Sequence, residues 1–146
     1  MATIRLPQDF KEFLKLLNSK RVEYLLIGGY AVGYYGYPRP TGDMDIWIAR
    51  TPENAEKVAG ALQEFGFTCP KELLLEQKKV VRMGVPPFRL EILTTISGVD
   101  FPACYADRLQ VLLDEIEVSL ISLSDLKVNK KASARSKDVT DLENLP

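Results

Sequence analysis

LIGGYAVGYYGYPRPTGDMDIWI, residues 26–48, is the stretch that decides the fold. It joins an apolar segment to a double glycine, then to a proline-rich loop, then to a segment in which acidic and apolar residues alternate. Residues 23–27 predict a short buried strand, which Gly28 and Gly29 break before a short helix over residues 30–36. Residues 37–42 predict a loop, because proline restricts its own backbone and that of the residue before it.

The alternating segment predicts a strand over residues 43–49 with Met44, Ile46 and Ile48 on one face and Trp47 on the other, acidic face. Asp43 and Asp45 would share the other face, with their Cα atoms roughly 6–7 Å apart. Carboxylates this close repel each other unless a cation or protons intervene, and hard oxygen ligands suit Mg²⁺. By itself, the tripeptide Asp-Met-Asp at residues 43–45 is also explained by a strand face exposed to solvent. However, two acids at the start of an apolar, central strand conflict with local packing preference, and such conflicts are typical of functional sites.

The double glycine has two interpretations. Gly28 and Gly29 would let a phosphate approach the backbone, and a helix starting there would point free N–H groups at that anion. A Gly-Gly pair alone is more often a simple tight turn, and neither a Walker nor a Rossmann motif follows. Because an acidic pair lies downstream, the phosphate interpretation is the better one.

The rest of the chain predicts one domain, residues 1–146, of the α/β (α+β) class. Strands alternating with helices indicate a mixed β-sheet flanked by helices. Helices are expected over residues 8–19, 52–65, 99–106, 124–134 and 137–145, the last capped by Ser136, and strands over residues 79–83, 88–94, 109–113 and 116–121.

Composition excludes several classes of function. The chain has no histidine. This excludes catalytic sites in which a histidine activates a serine or cysteine nucleophile, and it excludes zinc sites with histidine ligands. Cys69 and Cys104 lie far apart and are expected to be buried or half-buried thiols. The net charge of −1 argues against a protein that coats nucleic acid. No apolar run approaches the ~20 residues that span a membrane, so we expect no membrane association and a cytoplasmic location.

The motifs of residues 26–48 resemble the signature of the polymerase-beta-type nucleotidyltransferase superfamily, and the chain is similar to small bacterial nucleotidyltransferase-like proteins related to toxin and abortive-infection enzymes. Residues 88–101 and 121–142 are similar as well, so the resemblance covers most of the chain. It implies the nucleotidyltransferase fold and transfer of a nucleoside monophosphate from a nucleoside triphosphate. The cofactor would be Mg²⁺ or Mn²⁺, the acceptor a hydroxyl on a protein, an RNA or a small molecule, and the setting a toxin–antitoxin system.

The resemblance also implies roles for three acids. Asp43 and Asp45 would hold both metal ions, and a third acid would bind the catalytic one and help to deprotonate the acceptor. Glu91 stands at that third place, where the family has Asp. Its extra methylene moves the carboxylate by about 1 Å, a displacement on the scale that costs ~100-fold in rate. Glu91 is also explained by pairing with an arginine on an exposed strand face.

The candidate nucleotide-binding residues come from three places in the chain, and they are Gly28, Gly29, Tyr30, Arg39, Thr41, Lys131 and Lys137. Tyr30 would stack on the base, although tyrosines beside the glycines more often pack a short helix. Lys131 and Lys137 match the family's Lys-x-x-x-Arg-x-Lys-Asp tail, and the alternative is a solvated helix face on which Lys127, Lys130 or Lys131, and Arg135 lie together.

Two other function classes are considered. The first is a weakly active or inactive nucleotidyltransferase-fold binding module, for example an antitoxin-like partner protein, which the small size and Glu91 favour. The second is a glycosyltransferase with an Asp-x-Asp motif, which is disfavoured because it leaves the glycine turn unexplained. The sequence does not indicate the oligomeric state.

Overall fold

The computed structural model describes residues 4–37, 42–85 and 88–146. Helices and strands alternate, as the sequence predicts. The helices are α1 (Gln8–Ser19), α2 (Gly28–Tyr34), α3 (Pro52–Phe65), α4 (Phe101–Ala106), α5 (Leu123–Ser133) and α6 (Ser136–Asn144), and the strands are β1 (Tyr24–Ile27), β2 (Asp43–Ile48), β3 (Val80–Met83), β4 (Arg89–Leu93), β5 (Leu109–Leu113) and β6 (Ile116–Leu120). Within the described segments, none of the helices has the length and hydropathy needed to cross a membrane.

The six strands form one mixed sheet in the order β3-β4-β2-β1-β6-β5. β2 runs antiparallel to β1 and parallel to β4, while β3 and β4 form an antiparallel pair. β6 runs parallel to β1, and β5 returns antiparallel to β6. The predicted mixed sheet flanked by helices is therefore confirmed, and so is the central position of β2.

The two faces of β2 have different surroundings. Met44, Ile46 and Ile48 are fully buried on the apolar face. On the other face Trp47 packs edge-on against Phe101 of α4, with ring centroids 5.1 Å apart. From Asp43 to Ile46 the burial alternates, because side chains in a strand point to opposite sides, whereas Trp47 is buried on the acidic face by α4. Helix α4 thus covers the Trp47 end of the acidic face, and Asp43 and Asp45 lie at the other end, half-buried.

Helix α2 begins two residues before its predicted start. The sequence indicates a helix over residues 30–36, whereas the structure has it over Gly28–Tyr34. Gly28 alone makes the turn, since its φ is +69°, a conformation that only glycine adopts at little cost. Gly29 is therefore free to be the second helical residue, and the corner between β1 and α2 is tighter than the sequence suggests.

The cap of α6 is another correction. Ser136 is the predicted cap, but Ser136 is the first helical residue and Arg135 is the N-cap. The reason is Asp138, whose carboxylate accepts a hydrogen bond from the backbone N–H of Arg135 at 3.2 Å. An acid at the third helical position that reaches back to the cap residue is one half of a capping box, and this bond fixes where the helix starts.

Candidate active site

Two of the three acids predicted from the sequence, Asp45 and Glu91, lie in one row across the sheet, and Asp43 lies two residues along β2 from that row. Asp45 of β2 is paired with Ile27 on one side and with Glu91 of β4 on the other. Glu91 is paired in turn with Arg82 of β3. Directly opposed residues in neighbouring strands point to the same face, so Asp45, Glu91 and Arg82 project together beside the corner that follows Ile27.

Gly28 is in contact with the Asp45 carboxylate. A Cβ atom added to Gly28 would lie 3.1 Å from Cγ and 3.3 Å from Cβ of Asp45, and it would collide with Oδ2. Only glycine therefore lets the turn approach Asp45 this closely, in addition to the requirement set by its positive φ. The sequence assigns Gly28 to phosphate binding, and its contact with Asp45 is a second role that only the register of β1 with β2 reveals.

Asp45 is held in an environment that opposes its charge. Its Oδ1 atom is buried and has no hydrogen-bond partner among the described residues. Burial raises the pKa of Asp45 to about 7, and a hydrogen bond to Glu91 and repulsion from Glu91 and Asp43 act in the same direction. The positive charge of Lys137 partly offsets these effects. A carboxyl with such a pKa is typical of a functional site.

Two arginines neutralise the other two carboxylates. Arg89 donates from Nη2 to Asp43 Oδ2 at 3.1 Å and from Nε to Oδ1 at 3.4 Å. Arg82 donates from Nε to Glu91 Oε1 at 3.1 Å, and Arg89 Nη2 lies 3.9 Å from the same oxygen. Glu91 thus pairs with an arginine, as the alternative interpretation predicts, but its side chain is only 15% exposed, so the expected exposed strand face is wrong. Arg82 was not a candidate, because nothing in the local sequence shows that β3 lies beside β4 in this register.

The residues fit a divalent cation only in part. Among the residues that the structure describes, no three Asp, Glu, His or Cys side chains are arranged to hold a metal ion. Asp45 and Glu91 are in contact, whereas Asp43 binds Arg89. The oxygen donors and the unpartnered Oδ1 of Asp45 suit Mg²⁺ or Mn²⁺. Asp43 would complete a set of three carboxylate ligands only if its ion pair with Arg89 were replaced by a bond to the metal ion.

A cleft of about 930 Å³ opens above this row. Its walls contain both glycines of the β1–α2 corner, the three acids, Arg82 and Arg89, together with Arg135 and Lys137 from the C-terminal part of the chain. Gly28, Gly29, Asp43, Asp45, Glu91 and Lys137 are thus brought together as predicted. Arg39 and Thr41, which the sequence also assigns to this site, lie outside the described residues.

Two other candidates, Tyr30 and Lys131, are not brought to the cleft. The Tyr30 side chain, predicted to stack on a base, lies in the core at 6% exposure, with its ring 6.0 Å from that of Phe10. Burial of the hydroxyl accordingly raises the pKa of Tyr30. Tyr35 donates its hydroxyl hydrogen to the carbonyl of Ile121 at 2.7 Å. The packing interpretation of these tyrosines is the one that the structure supports.

Lys131, the second of these candidates, is exposed and is absent from the described lining of the cleft. Its neighbour Lys130 lines the cleft and forms ion pairs inside the protein. The expected shared helix face is also corrected, because α5 ends at Ser133 and Arg135 lies beyond it. Within the C-terminal basic cluster, the groups that act on Asp45 are therefore Lys137 and Arg135.

The expectation that this cleft binds a nucleoside triphosphate predicts that Lys137→Gln weakens this binding about tenfold, because the substitution removes one positive charge from the cleft lining. Lys131→Gln is the matched control: it removes the same charge six residues away, outside the cleft lining. Its affinity should stay within about twofold of wild type. Isothermal titration calorimetry with ATP measures both, and equal losses in the two variants would contradict the assignment.

Comparison with known proteins identifies the family. The profile of a family described as nucleotidyltransferases of unknown function, DUF6036, matches residues 4–145. The chain belongs to this nucleotidyltransferase family. Its fold is also similar to the crystal structure of a candidate nucleotidyltransferase from Thermotoga maritima, with a TM-score of 0.60 and 16% identity, covering 92% of this chain and 86% of that one.

At 16% identity that likeness shows the nucleotidyltransferase fold and nothing finer. No curated protein matches the chain significantly. Family and fold together confirm the resemblance to nucleotidyltransferases stated from residues 26–48, and they leave substrate, metal and acceptor to be inferred from the cleft.

Proposed function

We propose that this nucleotidyltransferase-family protein transfers a nucleoside monophosphate from a nucleoside triphosphate to an acceptor hydroxyl, with Mg²⁺ or Mn²⁺ as cofactor. The observation that carries the proposal is the placement of Asp45 beside both Glu91 and Gly28 at the floor of the cleft. Asp45 is half-buried with its Oδ1 atom fully enclosed, so its charge is unfavourable as the protein stands, and a cation would stabilise that charge.

The proposed reaction is a displacement at the α-phosphorus. The acceptor oxygen forms a bond to this phosphorus, the bond to the bridging oxygen of pyrophosphate breaks, and pyrophosphate leaves with the electron pair. Asp43, Asp45 and Glu91 would hold the divalent cation, which when bound neutralises phosphate charge. Glu91 accepts the proton of the acceptor hydroxyl. Lys137 and Arg135 bind the phosphates from the opposite wall, and the backbone at Gly28 and Gly29 completes the phosphate side.

The test is a labelling experiment. Purified protein is incubated with each nucleoside triphosphate, labelled at the α- or the γ-phosphate, with Mg²⁺ or Mn²⁺ and with separated protein and RNA fractions of a bacterial lysate. We expect one fraction to acquire α-label and not γ-label, and Glu91→Gln to lower the incorporation about 100-fold or more. Lys131→Gln serves as the active control. Failure of every nucleotide, metal and fraction to give α-label would contradict the proposal.

The arginine pairs favour one alternative, a nucleotidyltransferase-fold binding module such as an antitoxin-like partner protein. Arg89 and Arg82 already neutralise Asp43 and Glu91, so the fold does not need a metal ion to balance these two charges. A module of this kind would copurify with a stoichiometric partner whose binding is unaffected by Asp43→Ala. Absence of a partner together with nucleotide labelling would exclude this alternative.

A further inference from the structure

A buried ion network joins the last two helices. The Nζ atom of Lys130 lies 2.9 Å from Asp138 Oδ1 and 3.1 Å from Asp141 Oδ2. The three residues are only 3%, 0% and 1% exposed, respectively. Charged residues are almost never buried to this extent unless they are paired, so the three side chains depend on one another.

Asp138 is the centre of the network. Its Oδ2 accepts hydrogen bonds from the hydroxyl of Ser133 at 2.9 Å and from Nε of Arg135 at 2.7 Å, and Oδ1 accepts from Nη2 of Arg135 at 3.2 Å. Burial alone would raise the pKa of Asp138, but hydrogen bonds from Arg135, Lys130 and Ser133 outweigh it and hold the pKa well below its usual range. Asp138 is therefore a fixed anion to which the end of α5 and the start of α6 are both attached.

The network also contacts the two-residue corner between the two helices, Ala134 and Arg135. α5 ends where Ala134 takes a left-handed conformation, with φ at +51°, which is uncommon for a residue with a side chain. The next residue, Arg135, is held by Asp138 through its backbone N–H as well as its guanidinium. The direction in which the first turn of α6 leaves the corner thus depends on the contacts of Asp138.

Stability alone is a weak explanation for this arrangement. Burying three charges costs desolvation energy, and apolar side chains of similar volume often stabilise a protein as well or better. What the charges add is a defined orientation, and the side chains whose orientation they define are Arg135 and Lys137. Both line the cleft, whereas Asp138 does not. Both also act electrostatically on Asp45.

We propose that Asp138 is a positioning residue: through Lys130 and Arg135 it fixes the first turn of α6 so that Lys137 and Arg135 face the phosphates of the bound nucleotide. This inference rests on the proposed function. Asp138 itself touches no substrate, because it is fully buried and lies outside the cleft lining.

The test measures nucleotide affinity rather than turnover. Asp138→Asn keeps the size of the side chain and removes its charge. We expect its Kd for ATP, measured by titration calorimetry well below the unfolding temperature, to rise about tenfold. If Asp138 acts through its neighbour Lys137, the double variant Asp138→Asn/Lys137→Gln should lose clearly less affinity than the product of the two single losses.

Asn54→Ala is the matched structural control. Asn54 is also buried, at 3% exposure, and its side chain bonds the backbone of Glu23 at 2.7 and 3.0 Å and of Ala49 at 3.0 Å. These contacts lie away from the cleft. The variant should therefore unfold more easily while its Kd for ATP stays within about twofold of wild type.

A second variant covers the case in which Asp138→Asn does not fold. The triple replacement Lys130→Met, Asp138→Leu, Asp141→Leu substitutes an apolar cluster for the charges and should be stable, yet it should bind ATP about tenfold more weakly. Wild-type affinity in a folded Asp138→Asn or triple variant, or multiplicative losses in the double variant, would overturn the positioning role alone. If wild-type protein binds no nucleoside triphosphate, the proposed function fails and this inference fails with it.

Discussion

Replacing Asp45 by Asn is expected to abolish nucleotidyl transfer and, above pH 7, to make the protein more stable. We expect the rate of nucleotidyl transfer to fall about 1000-fold, because the substitution removes the carboxylate that lies beside both Glu91 and Gly28. The gain in stability follows because one oxygen of this half-buried carboxyl is enclosed and has no hydrogen-bond partner within the described part of the chain. Asn keeps the shape of the side chain and carries no charge that must be desolvated. The same substitution should therefore move activity and stability in opposite directions.

The effect on stability should depend on pH. The pKa of Asp45 is raised to about 7 in the folded protein from its ordinary 3.8, so between these values the folded state binds more protons than the unfolded state. Stability of the wild type therefore falls as pH rises through this window. Asn does not titrate, so the advantage of Asp45→Asn is smallest near pH 4 and reaches about 1–3 kcal/mol by pH 8.

Urea denaturation of the two proteins at pH 4.5 and pH 8, in the presence of a chelator, measures this difference. Millimolar Mg²⁺ supplies the control at pH 8: it should raise the urea midpoint of wild type and leave that of Asp45→Asn unchanged. An advantage of the same size at both pH values would show that the substitution acts through packing rather than through the charge of Asp45.

Replacing Gly28 by Ala is expected to cost about 2–5 kcal/mol of stability and to abolish nucleotide binding. Alanine at a φ of +69° is strained, and its Cβ would push against the Asp45 carboxylate. Either the corner or Asp45 must move, and both form the floor of the cleft. The expected loss is large for so small a side chain because two independent constraints meet at one residue.

Gly33→Ala is the control, since it makes the same chemical change within the same helix. Among the described residues, no atom other than those of the neighbouring residues and the backbone of α2 lies within 4 Å of a Cβ added to Gly33, and alanine favours a helix by ~1 kcal/mol over glycine. This variant should be as stable as wild type or slightly more so, with unchanged ATP affinity. Thermal unfolding with and without ATP measures both effects, and similar losses at Gly28 and Gly33 would refute the importance of the contact with Asp45.

Some of the site could be predicted from the sequence because it depends on local periodicity. The alternation in residues 43–49 correctly placed Asp43 and Asp45 on one face of a central strand. Pairing with Glu91 is different in kind. It requires β2 and β4 to lie side by side in one register, which hydrogen bonds between segments far apart in the chain determine. The family resemblance supplied this third acid, and the residue pattern alone did not.

The predictions that are wrong concern single residues whose backbone conformation or side-chain direction the local sequence pattern does not show. The helix pattern of the tail was extended through Ala134, so that Arg135 and the lysines were expected on one face. Ala134 instead ends α5 in a left-handed turn, and the partner that holds the next residue there, Asp138, lies beyond the turn. In the same way, no local pattern shows whether the ring of Tyr30 points to the core or to the cleft; the packing of Phe10 decides it.

The contact between Gly28 and Asp45 has a consequence for how such a site decays during evolution. As long as the aspartate is present, a larger residue at the glycine position meets both a strained backbone and an occupied space. Loss of the aspartate removes the second obstacle and leaves the first. Descendants that no longer require the acid should therefore lose it before the glycine, and a chain that retains the glycine without the acid would be the recognisable intermediate.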